Sequence, residues 1–112
     1  MLTVENLTKF GANTTEALQR CMGNEMLYLK LVNRFLEDNS FTKLKEALAN
    51  DDLETAFQCA HALKGVLANL SLTPLLNVIF EMTELLRNRQ IIDYSNYLER
   101  YEKAYSELVS LR

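Results

Sequence analysis

Three glycines and one proline are the only strong helix breakers in this chain of 112 residues. Leu, Ala, Glu and Lys are abundant between them, and no stretch shows the polar–apolar alternation of a half-buried strand, so the intervening segments read as helix. Gly11 closes a short N-terminal segment carrying Leu2, Val4, Leu7 and Phe10. Thr14 or Thr15 opens a second short turn that runs to Arg20. After Gly23–Asn24 comes a long apolar-periodic segment through Leu27, Leu31 and Phe35, and helical composition persists through FTKLKEALAN. Asn39–Ser40 fits either a cap at a break or a solvated point within one helix; the continuous helix is the reading taken.

Ser71-Leu72-Thr73-Pro74 is the clearest boundary in the sequence. Thr73 suits an N-cap and Pro74 the first helical position, where a missing N–H costs nothing. Before it, Asp51 and Asp52 supply an acidic cap for a helix over residues 52–70. After it, a helix over 75–89 presents Leu75, Ile79, Met82, Leu85 and Leu86. Asp93 caps a last helix that carries Tyr94, Leu98, Tyr101, Tyr105 and Leu108. The expected fold is all-α, an antiparallel four-helix bundle with a short N-terminal helical segment, in a single domain over residues 1–112. A single outward patch suits a monomer, although Tyr94, Tyr97, Tyr101 and Tyr105 do not all fit inside one bundle and leave a dimer open.

Charge and composition exclude several functions. A net charge of −3 with no arginine-rich cluster gives no field for nucleic acid. The opening MLTVENLTKF has neither the positive flank nor the apolar run of a signal peptide, and no long apolar span follows, so the cytoplasm is expected. Cys21 and Cys59 have no ligand spacing, and with one histidine in the chain no metal site is expected.

That histidine, His61, lies in FQCAHALKGVLANL at residues 57–70. On a helical wheel of about 100° per residue, Leu53, Ala56, Cys59, Ala60, Leu63, Leu67 and Leu70 form one apolar stripe, and His61 points to the opposite side. Glu54, Phe57, Gln58, Lys64, Gly65 and Ala68 share its face. A glycine in mid-helix costs about 1 kcal/mol relative to alanine. Gly65 and Ala68 therefore read as a bare surface for close approach, and Phe57 as an apolar docking contact. Packing of the N-terminal segment over the same patch is the competing explanation. Lys64, at i+3 from His61, is placed to stabilise negative charge on a modified imidazole. No phosphate-cradling loop and no second carboxylate complete an autonomous catalytic site, so the chemistry reads as half of a site.

The motif AHALKG at residues 60–65, continued by ANL at 68–70, resembles the histidine-containing phosphotransfer (HPt) family of two-component phosphorelays. The likeness extends from about Leu7 to the last helix. It implies a phosphorelay intermediate in which His61 accepts a phosphoryl group from a receiver-domain phospho-aspartate and passes it to another receiver aspartate. Lys64 would hold the phosphoryl oxygens, Gly65 and Ala68 would admit the receiver, and Glu54, Phe57, Gln58 and Asn69 would contact it. The implied partners are receiver domains of a response regulator or hybrid histidine kinase. No cofactor is implied in the chain itself; Mg²⁺ would sit on the partner receiver. No autonomous kinase activity is implied. The alternative from a different class is a helical adaptor that binds a receiver or other signalling protein through the same surface without transfer. Family members often carry glycine where this chain has Ser71, and altered helix-end geometry is expected there.

Overall fold

The computed structural model describes residues 1–112 as seven helices. Two short ones, α1 (Val4–Phe10) and α2 (Thr14–Arg20), precede α3 (Glu25–Leu36), α4 (Ser40–Ala49), α5 (Leu53–Asn69), α6 (Thr73–Arg87) and α7 (Ser95–Val109). The last five form an all-α bundle in which α3 and α4 together take the place of one long helix. α5 packs between α4 and α6, and α6 also packs on α7. The ring closes from α7 to α4, where the Phe41 and Tyr101 rings stack at 4.0 Å and Lys45 bridges Glu102 at 2.7 Å.

The break at residues 37–39 corrects the continuous-helix reading. The Asp38 carboxylate accepts from Ser40 N–H at 2.6 Å, a short side-chain bond that starts a new helix. The orphaned carbonyl of Leu36 accepts from the Tyr105 hydroxyl of α7 at 2.9 Å. Both groups are better satisfied broken than continuous.

Caps fix most other boundaries. Thr3, Asn13, Asn24 and Asp52 accept from the N–H three residues on. At α6 the expected register shifts by one: Leu72 is the N-cap, Thr73 is already helical, and its hydroxyl donates to Ser71 C=O. α6 also ends at Arg87, two residues before the expected Arg89. Asp93 accepts from Ser95 N–H at 2.9 Å, one position outside the cap itself.

The core is one cluster, with Leu7, Tyr28, Val32, Leu44, Leu67, Leu72, Ile79, Met82, Leu86, Tyr101 and Leu108 among its most buried members. The tyrosines of α7 are accommodated within the chain. Tyr94 and Tyr101 are buried, while Tyr97 and Tyr105 are half-buried. Cys21 is buried, Cys59 half-buried, and both are free thiols. No helix is long and apolar enough to cross a membrane.

The N-terminal helices brace the loop between α5 and α6. Asn13 N–H donates to Ser71 C=O at 2.9 Å, and the Arg20 guanidinium donates to Asn69 C=O at 3.0 Å and Ser71 Oγ at 2.8 Å. Ser71 itself lies in the left-handed region at φ 53°. Its N–H reaches Ala68 C=O and the next N–H reaches Leu67 C=O, the bonding that a glycine commonly provides at a helix end. The helix-end geometry is therefore the one a glycine would give, contrary to the expected alteration. Arg20 and Asn13 offset the strain of a side chain there.

Candidate functional site

α5 has the apolar stripe that the wheel requires. Ala56, Ala60, Leu63, Leu67 and Leu70 are buried, and Leu53 and Cys59 are half-buried. His61 is exposed on the opposite side. No hydrogen bond within the chain engages either ring nitrogen; the imidazole's aromatic neighbour is Phe57, stacked at 5.7 Å and 28°. Both nitrogens are thus open to a reactant, and a neutral imidazole in that setting is a competent nucleophile.

Around it, Glu54, Gln58, Gly65 and Asn69 are exposed, while Phe57, Lys64 and Ala68 are half-buried. They lie along one side of α5 over about 22 Å of helix, at 1.5 Å per residue. A Cβ built at Gly65 meets nothing within 4 Å, so no neighbour in this chain requires the missing side chain. The N-terminal helices brace the end of α5 at Asn69–Ser71 and leave the surface at Gly65 open. The competing explanation for the glycine therefore fails.

Lys64 leans towards α6, where its ammonium lies 5.5 Å from the centre of the exposed Phe80 ring, and it has no carboxylate partner. Its charge is uncommitted within the chain. Phe57 is less free than an exposed docking contact. The Arg89 and Arg87 guanidiniums lie 4.7 and 5.3 Å from its ring centre, so two cations from the end of α6 cover it. Arg89 also donates to Glu54 Oε2 at 2.5 Å, and Gln58 donates to Glu54 Oε1 at 3.3 Å. Of the residues read as partner contacts, Glu54 and Phe57 are thereby tied to Arg87 and Arg89 at and just beyond the end of α6, while Gln58 and Asn69 are exposed.

On the other flank a groove of about 290 Å³ runs between α3 and the C-terminal half of α5, lined by Leu31, Arg34, Phe35, Asp38, Val66, Asn69 and Leu70. Sequence reasoning missed Arg34, Val66, Phe80, Arg87 and Arg89. Phe80 carried a usable signal, since it is a bulky apolar residue off its helix's buried stripe; Val66 did not, because the wheel places it beside Cys59 at the edge of the apolar stripe and only the structure leaves it exposed. Arg87 and Arg89 carried none, because their reach to α5 depends on how α6 ends. Nowhere do three or more His, Cys, Asp or Glu side chains gather as a metal site would need.

The model of the Hpt domain family matches residues 30–111, from within α3 to just beyond α7. Comparisons with curated proteins and with solved structures give no match. A family match over most of the chain, on a bundle that presents one exposed histidine from its central helix, makes this protein a member of the Hpt domain family.

Proposed function

We propose that the whole chain acts as a single-domain phosphorelay intermediate, with His61 as the residue that is phosphorylated. The observation that carries this reading is the pairing of an exposed, unbonded imidazole with a mid-helix glycine whose Cβ would meet nothing in its own chain. A helix keeps such a glycine at a cost of about 1 kcal/mol, and a partner surface pressed against α5 supplies the reason.

The donor is the phospho-aspartate of a receiver domain. The lone pair of the unprotonated ring nitrogen of His61 attacks phosphorus, the N–P bond forms, and the P–O bond to the aspartyl carboxylate breaks. The carboxylate leaves with the electron pair, and the proton on the other ring nitrogen exchanges with water. Transfer onward to a second receiver reverses these bonds. The receiver would supply the acidic pocket and its Mg²⁺, which would neutralise charge on the phosphoryl group in transit. What this chain contributes is orientation of the ring, access at Gly65 and Ala68, and the ammonium of Lys64, which can swing from Phe80 to the phosphoryl oxygens. Gln58 and Asn69 line the approach, and the groove beside Val66 accepts apolar side chains of the receiver. The setting is cytoplasmic, where receivers act.

Phosphorylated receivers incubated with the protein and with His61→Ala test the proposal. Label on the wild type that is absent from the variant supports it. A receiver that binds both forms equally and keeps its label would replace it with the adaptor reading.

A further inference from the structure

The phosphotransfer reading leaves one matter without a cause. An imidazole on an open helix face has two usable staggered wells at χ1, since the third clashes with the preceding turn, and two broad ones at χ2, about four orientations in all. Only some of them aim a ring nitrogen outwards. No hydrogen bond selects among them.

We propose that Phe57, clamped by Arg87 and Arg89, is the positioning residue of His61; this rests on the phosphotransfer reading of that histidine. Side chains on a helix lean towards its N-terminus, so His61 comes down over the residue one turn before it, which is Phe57. The rings meet at 5.7 Å with only 28° between their planes. The stack orients the imidazole only if Phe57 is itself fixed. The guanidinium of Arg89 lies 4.7 Å from the Phe57 centre and that of Arg87 lies 5.3 Å away.

Arg89 is fixed in turn. Its Nη1 donates to the carbonyl of Leu86 at 2.7 Å, which also accepts from the Arg89 N–H at 2.9 Å, and to that of Arg87 at 3.1 Å, and its Nη2 donates to Glu54 at 2.5 Å. A planar cation with several fixed donors holds a flat ring in a way an ammonium cannot. The chain of contact therefore runs from the end of α6 through Arg89 and Phe57 to the reactive ring. A mere staple between α5 and α6 would make the same first contacts, but it gives no reason for the last one. On that account, losing the flat ring would change stability alone.

Phe57→Leu, Phe57→Tyr and Arg89→Ala separate the two. At saturating phosphorylated receiver, Phe57→Leu should lower the transfer rate about two- to four-fold, the loss expected when one orientation in about four is no longer selected. Half-saturation should move less than about two-fold, Phe57→Tyr should restore the rate, and Arg89→Ala should fall in the same direction as Phe57→Leu. An unchanged rate for Phe57→Leu, or a change confined to half-saturation, would overturn the proposal. A second measurement needs no receiver: NMR three-bond couplings of His61 should report one χ1 rotamer in the wild type and an average in Phe57→Leu. Averaged couplings in the wild type would overturn positioning even where transfer succeeds. A single rotamer lost on Phe57→Leu would support it even where no receiver delivers label, which would count against the phosphotransfer reading alone.

Discussion

An alanine at position 65 adds one methyl group to the exposed side of α5, one turn beyond His61. The position has helical backbone, and the added carbon meets nothing within 4 Å, so the folded chain takes it without strain. Removing the glycine also removes backbone freedom from the unfolded chain. The two effects together stabilise by about 1 kcal/mol, which raises the melting temperature by about 4 °C in a domain of this size. Docking should move the other way. If the receiver packs against the bare backbone at Gly65, an extra methyl overpacks that contact by about 1–3 kcal/mol, a loss of about 5- to 150-fold in affinity. Thermal melts of the free protein and titration with the receiver give the two numbers independently. A variant that melts higher and binds worse supports a glycine kept for the partner. A variant that melts lower would show that the chain itself needs Gly65, and unchanged binding would refute close approach there.

The same reasoning extends to sites that support the bundle. Ser71→Ala keeps the left-handed backbone strain but loses the charged hydrogen bond from Arg20, so chemical denaturation should show a loss of about 1–2 kcal/mol. Ser71→Gly should fall within about 1 kcal/mol of wild type, because relief of strain offsets the lost bond; a tolerated alanine would contradict this. The Tyr101 hydroxyl is buried with no hydrogen-bond partner, so Tyr101→Phe should be neutral or stabilising by up to about 1 kcal/mol, and a clear loss would reveal a partner for that hydroxyl. Burial pushes the Tyr28 phenol from 10.0 up to about 12, and burial also raises Tyr94, Tyr101 and Tyr105. For Tyr28 the unfolded chain gives up its proton first as pH rises. Stability is therefore flat below about pH 10 and falls by about 2–3 kcal/mol between pH 10 and 12. Urea melts at pH 9 and 11.5 check this, and equal midpoints would contradict it.

The face of α5 was legible in the sequence because its periodicity is local. Placing Leu63 and Leu67 inside is enough to put His61 outside, whatever the rest of the chain does. Gly65 stood out for the same reason, as a residue that its own helix does not favour. The break between α3 and α4 was harder. Asp38-Asn39-Ser40 has the composition of a cap, but helix formers on both sides outweighed it, and part of the deciding bond comes from Tyr105 on α7. Ser71 misled in another way: a residue that would be strained alone is held in a glycine's conformation by Arg20, which lies far off in the chain. The cover over Phe57 is likewise a tertiary fact, set by where α6 stops and by the left-handed turn at Arg89 that follows. A wheel shows which side Phe57 is on; it cannot show what arrives from the neighbouring helix.

The most direct test of the account is to find where the phosphoryl group goes. The protein is incubated with a phosphorylated receiver, digested at mildly alkaline pH, and its peptides are mapped by mass spectrometry. The account predicts one modified residue, His61, carrying an acid-labile and base-stable phosphoryl group that is lost when unphosphorylated receiver is returned to the mixture. An acid-stable phosphate on a serine, threonine or tyrosine, or label that persists in His61→Ala, would contradict it.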